Sequence, residues 1–176
     1  LLINLINSVW AIPSVLIIRL VRPIVLIRVG QFFSARIGHF AIDAGIQWAE
    51  RCSMNSRVID LYWIEEPISN QQWAKMISRN LTTFTWASHL GRWNRLIPGG
   101  DIHSRPSSTT RSRDINGILE RSNTHFNFLQ KEIADGTAWL KRNGWIEGQK
   151  FVCLQVRDSA YLKSEEWSSQ YHWDYH

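Results

Sequence analysis

Apolar residues fill the first twenty positions almost without charge: LLINLINSVWAIPSVLIIRL. The length is at the lower edge of what a spanning helix needs, about 20 residues, and Asn4, Asn7, Ser8, Ser14 and Pro13 dilute and kink it. Arg19, Arg22 and Arg28 follow closely, and basic flanks favour the cytoplasmic side of a membrane. Residues 1–22 therefore read as an apolar helix, with two alternatives for its place. It is a monotopic anchor on the cytoplasmic face of an inner membrane, or it is buried against the rest of the protein.

After Pro23 the pattern changes. Ile24-Val25-Leu26-Ile27-Arg28-Val29, closed by Gly30, is a short β-branched run of the kind found in strands covered on both faces. A loop to Ala35 precedes a helix over 36–50, with Ile37, Phe40, Ala41, Ala44 and Trp48 on one side. Strand, loop and helix open a doubly wound unit. A second strand is predicted over 57–64, a helix over 71–80 and a third strand over 82–86. Residues 91–114, rich in Gly, Pro, Ser, Thr and Arg, read as a long surface loop. A helix over 125–143 carries Phe126, Leu129, Ile133 and Leu140 and stops at Asn143-Gly144. The apolar run 151–156 is predicted to be a strand ending at Arg157-Asp158. The fold class expected is α/β, a parallel sheet flanked by helices and preceded by an apolar N-terminal helix. The domains expected are that helix at 1–22, an N-terminal domain at 23–145, and the start of another at 150–176.

Composition narrows the picture modestly. Hydrophobic residues are 44% and charged residues 20% of 176, which suits a packed core. A net charge of +5 suits an anionic partner, whether phosphate-bearing substrate, nucleic acid or acidic lipid. Ten Trp serve cores, sugar-stacking surfaces or membrane interfaces. Cys52 and Cys153 lack metal-site spacing and read as free thiols. No phosphate-binding Walker loop, G-x-S-x-G or H-E-x-x-H pattern occurs.

Two places can carry chemistry. Arg36-Ile37-Gly38-His39 opens a helix, whose free N–H groups attract anions. Arg36 adds a bidentate grip, Gly38 admits close approach, and His39 is a general-base candidate, or else a histidine that caps and packs. Val156-Arg157-Asp158-Ser159-Ala160-Tyr161 follows a strand, where ligands of open α/β sheets collect. There Arg157 can hold a diphosphate and Asp158 a sugar hydroxyl, or the two form a surface ion pair. The run 104–113, with three Arg among Ser and Thr, is a phosphate loop or a solvated one.

IVLIRVG, RIGHFA and FVCLQVRDSAYL together resemble a family of bacterial glycosyltransferases of the cell-surface polysaccharide type. Gln155 stands where that family's pattern often has His. The strand-then-Arg segment also looks like the donor-contacting segment of fucosyltransferases. The resemblance implies a GT-B-like layout of two Rossmann-like domains, of which residues 23–145 are the acceptor-side half. The chain then reads as the N-terminal piece of a larger enzyme, inactive by itself. It implies transfer of a sugar from a nucleotide sugar to a cell-surface glycan or lipid-linked acceptor. No cofactor or obligatory metal is expected. His39 would be the base, and Arg36, Gly38, Arg157, Asp158 and Tyr161 would contact substrate. No nucleic acid is expected as a partner. The competing classes are a basic nucleic-acid-binding module, disfavoured by dispersed charge, and a membrane-associated scaffold without catalysis.

Overall fold

The computed structural model describes residues 2–53, 57–106, 112–122 and 125–153. The chain divides into two compact units, Leu1–Phe128 and Leu129–His176.

In the first unit the elements are α1 (Leu2–Leu20), β1 (Leu26–Phe32), α2 (Ile37–Ser53), β2 (Val58–Ile64), α3 (Gln71–Asn80), α4 (Ala87–Leu96), a 3-10 turn at Asp101–His103, β3 (Ser104–Arg105) and α5 (Ile118–Ser122). The fold is α/β. Its three-stranded sheet has the order β2-β1-β3, and both strand pairs are parallel. β1 and β2 pair residue for residue from Leu26↔Val58 to Phe32↔Ile64.

Strand alternation sorts the side chains onto two faces. Phe32 and Tyr62 pack with Phe40 and Ala44 of α2 and Ala74 and Ile77 of α3. Val29, with Ile27, Leu61 and Trp63, packs on the opposite face against Ala11, Val15 and Ile18 of α1 and Ala87 and Leu90 of α4. The sheet is thus covered on both faces, as its near-continuous apolar strands predict.

The N-terminal segment is helical, and one side of it belongs to the core: Ala11 and Val15 are almost fully buried. Pro13 lies inside α1. Pro13 and Val9, whose carbonyl loses its usual donor, both sit on the exposed flank. Arg19 ties the end of α1 to the end of α4, donating to the carbonyls of Pro98 (2.6 Å), Ile97 (2.8 Å) and Asn94 (3.3 Å). A cation on the last carbonyls of a helix satisfies groups that have no partner within it. Among the described residues no helix is long and apolar enough to cross a membrane.

Four elements differ from the sequence reading. Gly30 does not close β1 but sits inside it, because β3 comes close: a Cβ there would lie 2.7 Å from the Arg105 carbonyl oxygen. The segment 82–86 makes one parallel bridge, Thr83 to Tyr62, and no strand. The stretch 91–114 is not one long loop, since it holds most of α4, the 3-10 turn and β3. α4 escapes a hydrophobic-periodicity reading because its buried positions are Ala87, Leu90, Gly91 and Asn94, helically spaced but mostly small or polar. Finally, the helix expected over 125–143 begins at Gln130, while Phe126 packs edge-on against Trp73 at 4.7 Å.

In the second unit, α6 (Gln130–Arg142) starts with the Glu132 carboxylate accepting from the Leu129 N–H at 2.8 Å. It ends at Asn143 and Gly144, whose φ of +92° suits glycine. Phe151, Val152 and Cys153 have no regular structure, and the rest of the strand expected over 151–156 lies outside the described residues. Cys52 and Cys153 are both exposed free thiols.

Candidate active site at the start of α2

From β1 the chain reaches β2 on one side, and it returns on the other side as β3. The carboxyl ends of such strands are where α/β folds place ligands. The loop from β1 to α2 is fixed there by Ser34, which is 1% exposed. Its hydroxyl reaches the Glu65 carbonyl, and its own carbonyl accepts from the Ser69 N–H at 2.9 Å. α2 therefore starts from a held position, with the Phe40 N–H on the Arg36 carbonyl at 3.0 Å.

One flank of α2 is polar at helical spacing: His39, Asp43, Gln47 and Glu50. β3 and the chain after it supply the partners. Arg105 pairs with Glu50, the Pro106 carbonyl accepts from Gln47 at 3.3 Å, and Ser112 meets Asp43 and His39. Asp43 and Gln47, in the middle of this flank, are buried at 3% and 4% exposure, and each hydrogen-bonds to the returning chain.

The last of these contacts forms a chain of three groups. The Ser112 hydroxyl donates to Asp43 Oδ2 at 3.1 Å. Its oxygen lies 2.5 Å from His39 Nδ1. A carboxylate can only accept, so the serine proton goes to Asp43 and the serine lone pair takes the Nδ1–H of His39. In the neutral ring that tautomer makes Nε2, on an exposed side chain, the acceptor. Ser112 holds this position with φ +55°, rare for a residue with a side chain. A carboxylate behind a base, orienting it through a hydrogen bond, is the arrangement general-base catalysis uses.

The predicted residues fall as follows. His39 is exposed in the first turn of α2, Gly38 is exposed beside it, and Arg36 is half-buried. Among the described residues a Cβ on Gly38 would meet nothing within 4 Å. Arg157, Asp158 and Tyr161 lie outside the described residues. Sequence reasoning missed Asp43 and Ser112. Asp43 carried a usable signal, an acid four residues after a histidine on one helix face. Ser112 carried none, being one serine in a run of Ser, Thr and Arg.

Deeper in the same face lies a second polar group. Arg28 forks onto Asp60 across β1 and β2 at 2.7 and 2.8 Å. Burial pushes the Tyr62 hydroxyl well above its ordinary pKa of 10.0; Asp60 adds to the rise, and Arg105 and Arg28 oppose it. These groups are enclosed and bind the strands together.

Compared with known proteins, the chain matches no family model, no curated protein and no solved structure.

Proposed function

We propose that this chain is the acceptor-side, Rossmann-like half of a GT-B-like glycosyltransferase, with His39 as the base that activates the acceptor hydroxyl. The observation that carries the reading is the His39–Ser112–Asp43 chain at the opening of α2. The sugar-transfer chemistry itself rests on the resemblance of IVLIRVG, RIGHFA and VRDSAYL.

In this reading the acceptor hydroxyl gives its proton to His39 Nε2. Its oxygen bonds to the anomeric carbon as the bond to the nucleotide diphosphate breaks, and the diphosphate leaves with the electron pair. Asp43, through Ser112, stabilises the imidazolium that forms. Arg157, Asp158 and Tyr161 belong to the donor side, with Arg157 on the diphosphate. The free N–H groups of Ile37 and Gly38, with Arg36 beside them, favour an anionic group on the acceptor.

The test is to give the full-length protein a panel of nucleotide sugars and follow diphosphate release and labelled-sugar transfer. His39→Ala is expected to lower kcat by about 100-fold to 10,000-fold while the thermal midpoint stays near that of the parent, since His39 is exposed. An unchanged rate in His39→Ala removes the base assignment. Consumption of no nucleotide sugar removes the transferase reading altogether.

A further inference from the structure

The α1–α4 side of the first unit, opposite the candidate active site, combines three features. The first is an apolar outer flank on α1. Val9 (77% exposed), Leu16, Ile17 and Leu20 (80%) face outward, continued by Ile24 and, on α4, by Leu96. The second is charge mostly of one sign. Residues 1–42 contain no acid, and neither does 67–100. On α1, on α4 and in the turn after α1 the exposed charges are Arg22, Arg92 and Arg95, the exposed Asp101 following in the 3-10 turn after α4, and on α4 Arg92, Arg95 and Leu96 share one outward face.

The third feature is a groove of about 590 Å³ lined by Asn7, Trp10, Ser14, Ile27, Leu61 and Trp86, among others. The polar groups of Asn7, Trp10 and Ser14 bond to one another within α1. Asn7 Oδ1 accepts the Trp10 indole N–H at 3.0 Å, and the Ser14 hydroxyl donates to the Trp10 carbonyl at 2.8 Å. Trp10 and Trp86 meet edge-on at 6.1 Å, and Phe84 stacks on Trp86 at 4.8 Å. The walls thus present hydrocarbon and aromatic surface, which suits an occupant that makes no hydrogen bonds.

We propose that this side docks on an anionic phospholipid bilayer, with α1 lying in the interface rather than crossing it and a lipid acyl chain entering the Trp10–Trp86 groove. An apolar helix flank bordered by arginines that outnumber acids matches the two requirements of interfacial binding, buried apolar area and attraction to acidic headgroups. Tryptophan at the boundary is the aromatic residue such interfaces prefer. The inference does not depend on the transferase reading.

The experiment is vesicle co-sedimentation of the full chain with phosphatidylglycerol vesicles and with phosphatidylcholine vesicles. Binding is expected to phosphatidylglycerol, weakening with salt. Replacing Arg22, Arg92 and Arg95 by Gln should weaken it about fivefold per arginine, on the order of 100-fold together. The triple variant Leu16→Ser, Ile17→Ser, Leu20→Ser, all on the exposed flank, should abolish it while keeping the parent's thermal midpoint. Acyl-brominated phosphatidylglycerol should quench tryptophan fluorescence, and Trp10→Phe with Trp86→Phe should remove most of that quenching. Absence of binding to either vesicle, or equal binding by the folded flank variant, overturns the proposal and leaves a protein partner for this face. Quenching unaffected by the two tryptophan substitutions overturns the groove as the chain's site.

Discussion

Deleting residues 1–22 is expected to unfold the first unit rather than simply to release it from a surface. Val15 and Ile18 are 1% and 9% exposed against Val29, Ala87 and Leu90. Burying side chains of this size stabilises by about 1.5–3 kcal/mol each, so these two contribute roughly 3–6 kcal/mol. Whole domains have about 5–15 kcal/mol in total. The deletion also strips Arg19 from the last carbonyls of α4 and bares one face of the sheet. The circular-dichroism melt of the deletion variant should lack a cooperative transition. A deletion variant that melts cooperatively within a few degrees of the parent would mean that α1 is an appendage. For the same reason a deletion cannot separate anchoring from folding, and substitutions on the exposed flank can.

Gly100→Ala should be the most damaging single methyl group in the unit. A Cβ there would lie 1.9 Å from the Asn94 carbonyl oxygen and 2.9 Å from its Oδ1. Asn94 cannot step aside, because it is 3% exposed and its side chain is tied at both ends. Its Nδ2 donates to the Gly100 carbonyl at 2.8 Å and the Ser104 hydroxyl at 3.1 Å, and its Oδ1 accepts from Arg19 at 3.2 Å. Relieving the clash therefore moves the start of β3 or the end of α1. The expected cost is on the order of 3 kcal/mol, which lowers the thermal midpoint by roughly 10 °C. Gly38→Ala, whose Cβ meets nothing within 4 Å among the described residues, is the control and should be neutral or slightly stabilising. A Gly100→Ala midpoint equal to the parent's would show that the α4–β3 corner yields, contrary to this account of Asn94.

What was legible in the chain was whatever large apolar residues spell out. The strand Val58–Ile64 and the helix Gln71–Asn80 stand where periodicity and flanking Pro and Asn place them, and the apolar run after Pro23 is a strand, though it continues through Gly30 to Phe32. Asn70 caps the last of these through the Trp73 N–H. What was illegible depended on contacts between distant segments. α4 is buried through Gly91, on which Trp63 packs, and through Asn94, whose side chain joins the Gly100 carbonyl, the Ser104 hydroxyl and the Arg19 guanidinium. β3 is two residues long, and β1 tolerates its approach only because residue 30 is glycine. At the site, His39 was visible as a lone histidine without a partner. Asp43, one turn along the same helix, was locally signalled, but Ser112 links it to His39 only once the chain after β3 folds back along α2, and no local pattern encodes that return.

The central claim is that Asp43, Ser112 and His39 act as one base. The measurement that tests it most directly is a double-mutant cycle on kcat/KM for sugar transfer by the full-length protein, using His39→Ala, Ser112→Ala and the pair. If Ser112 works only through His39, Ser112→Ala should slow transfer by itself, and adding it to His39→Ala should cost nothing more. Losses that multiply in the double variant would contradict the account. They would show Ser112 acting on the substrate or the fold by a separate route, and the three residues would no longer be one device.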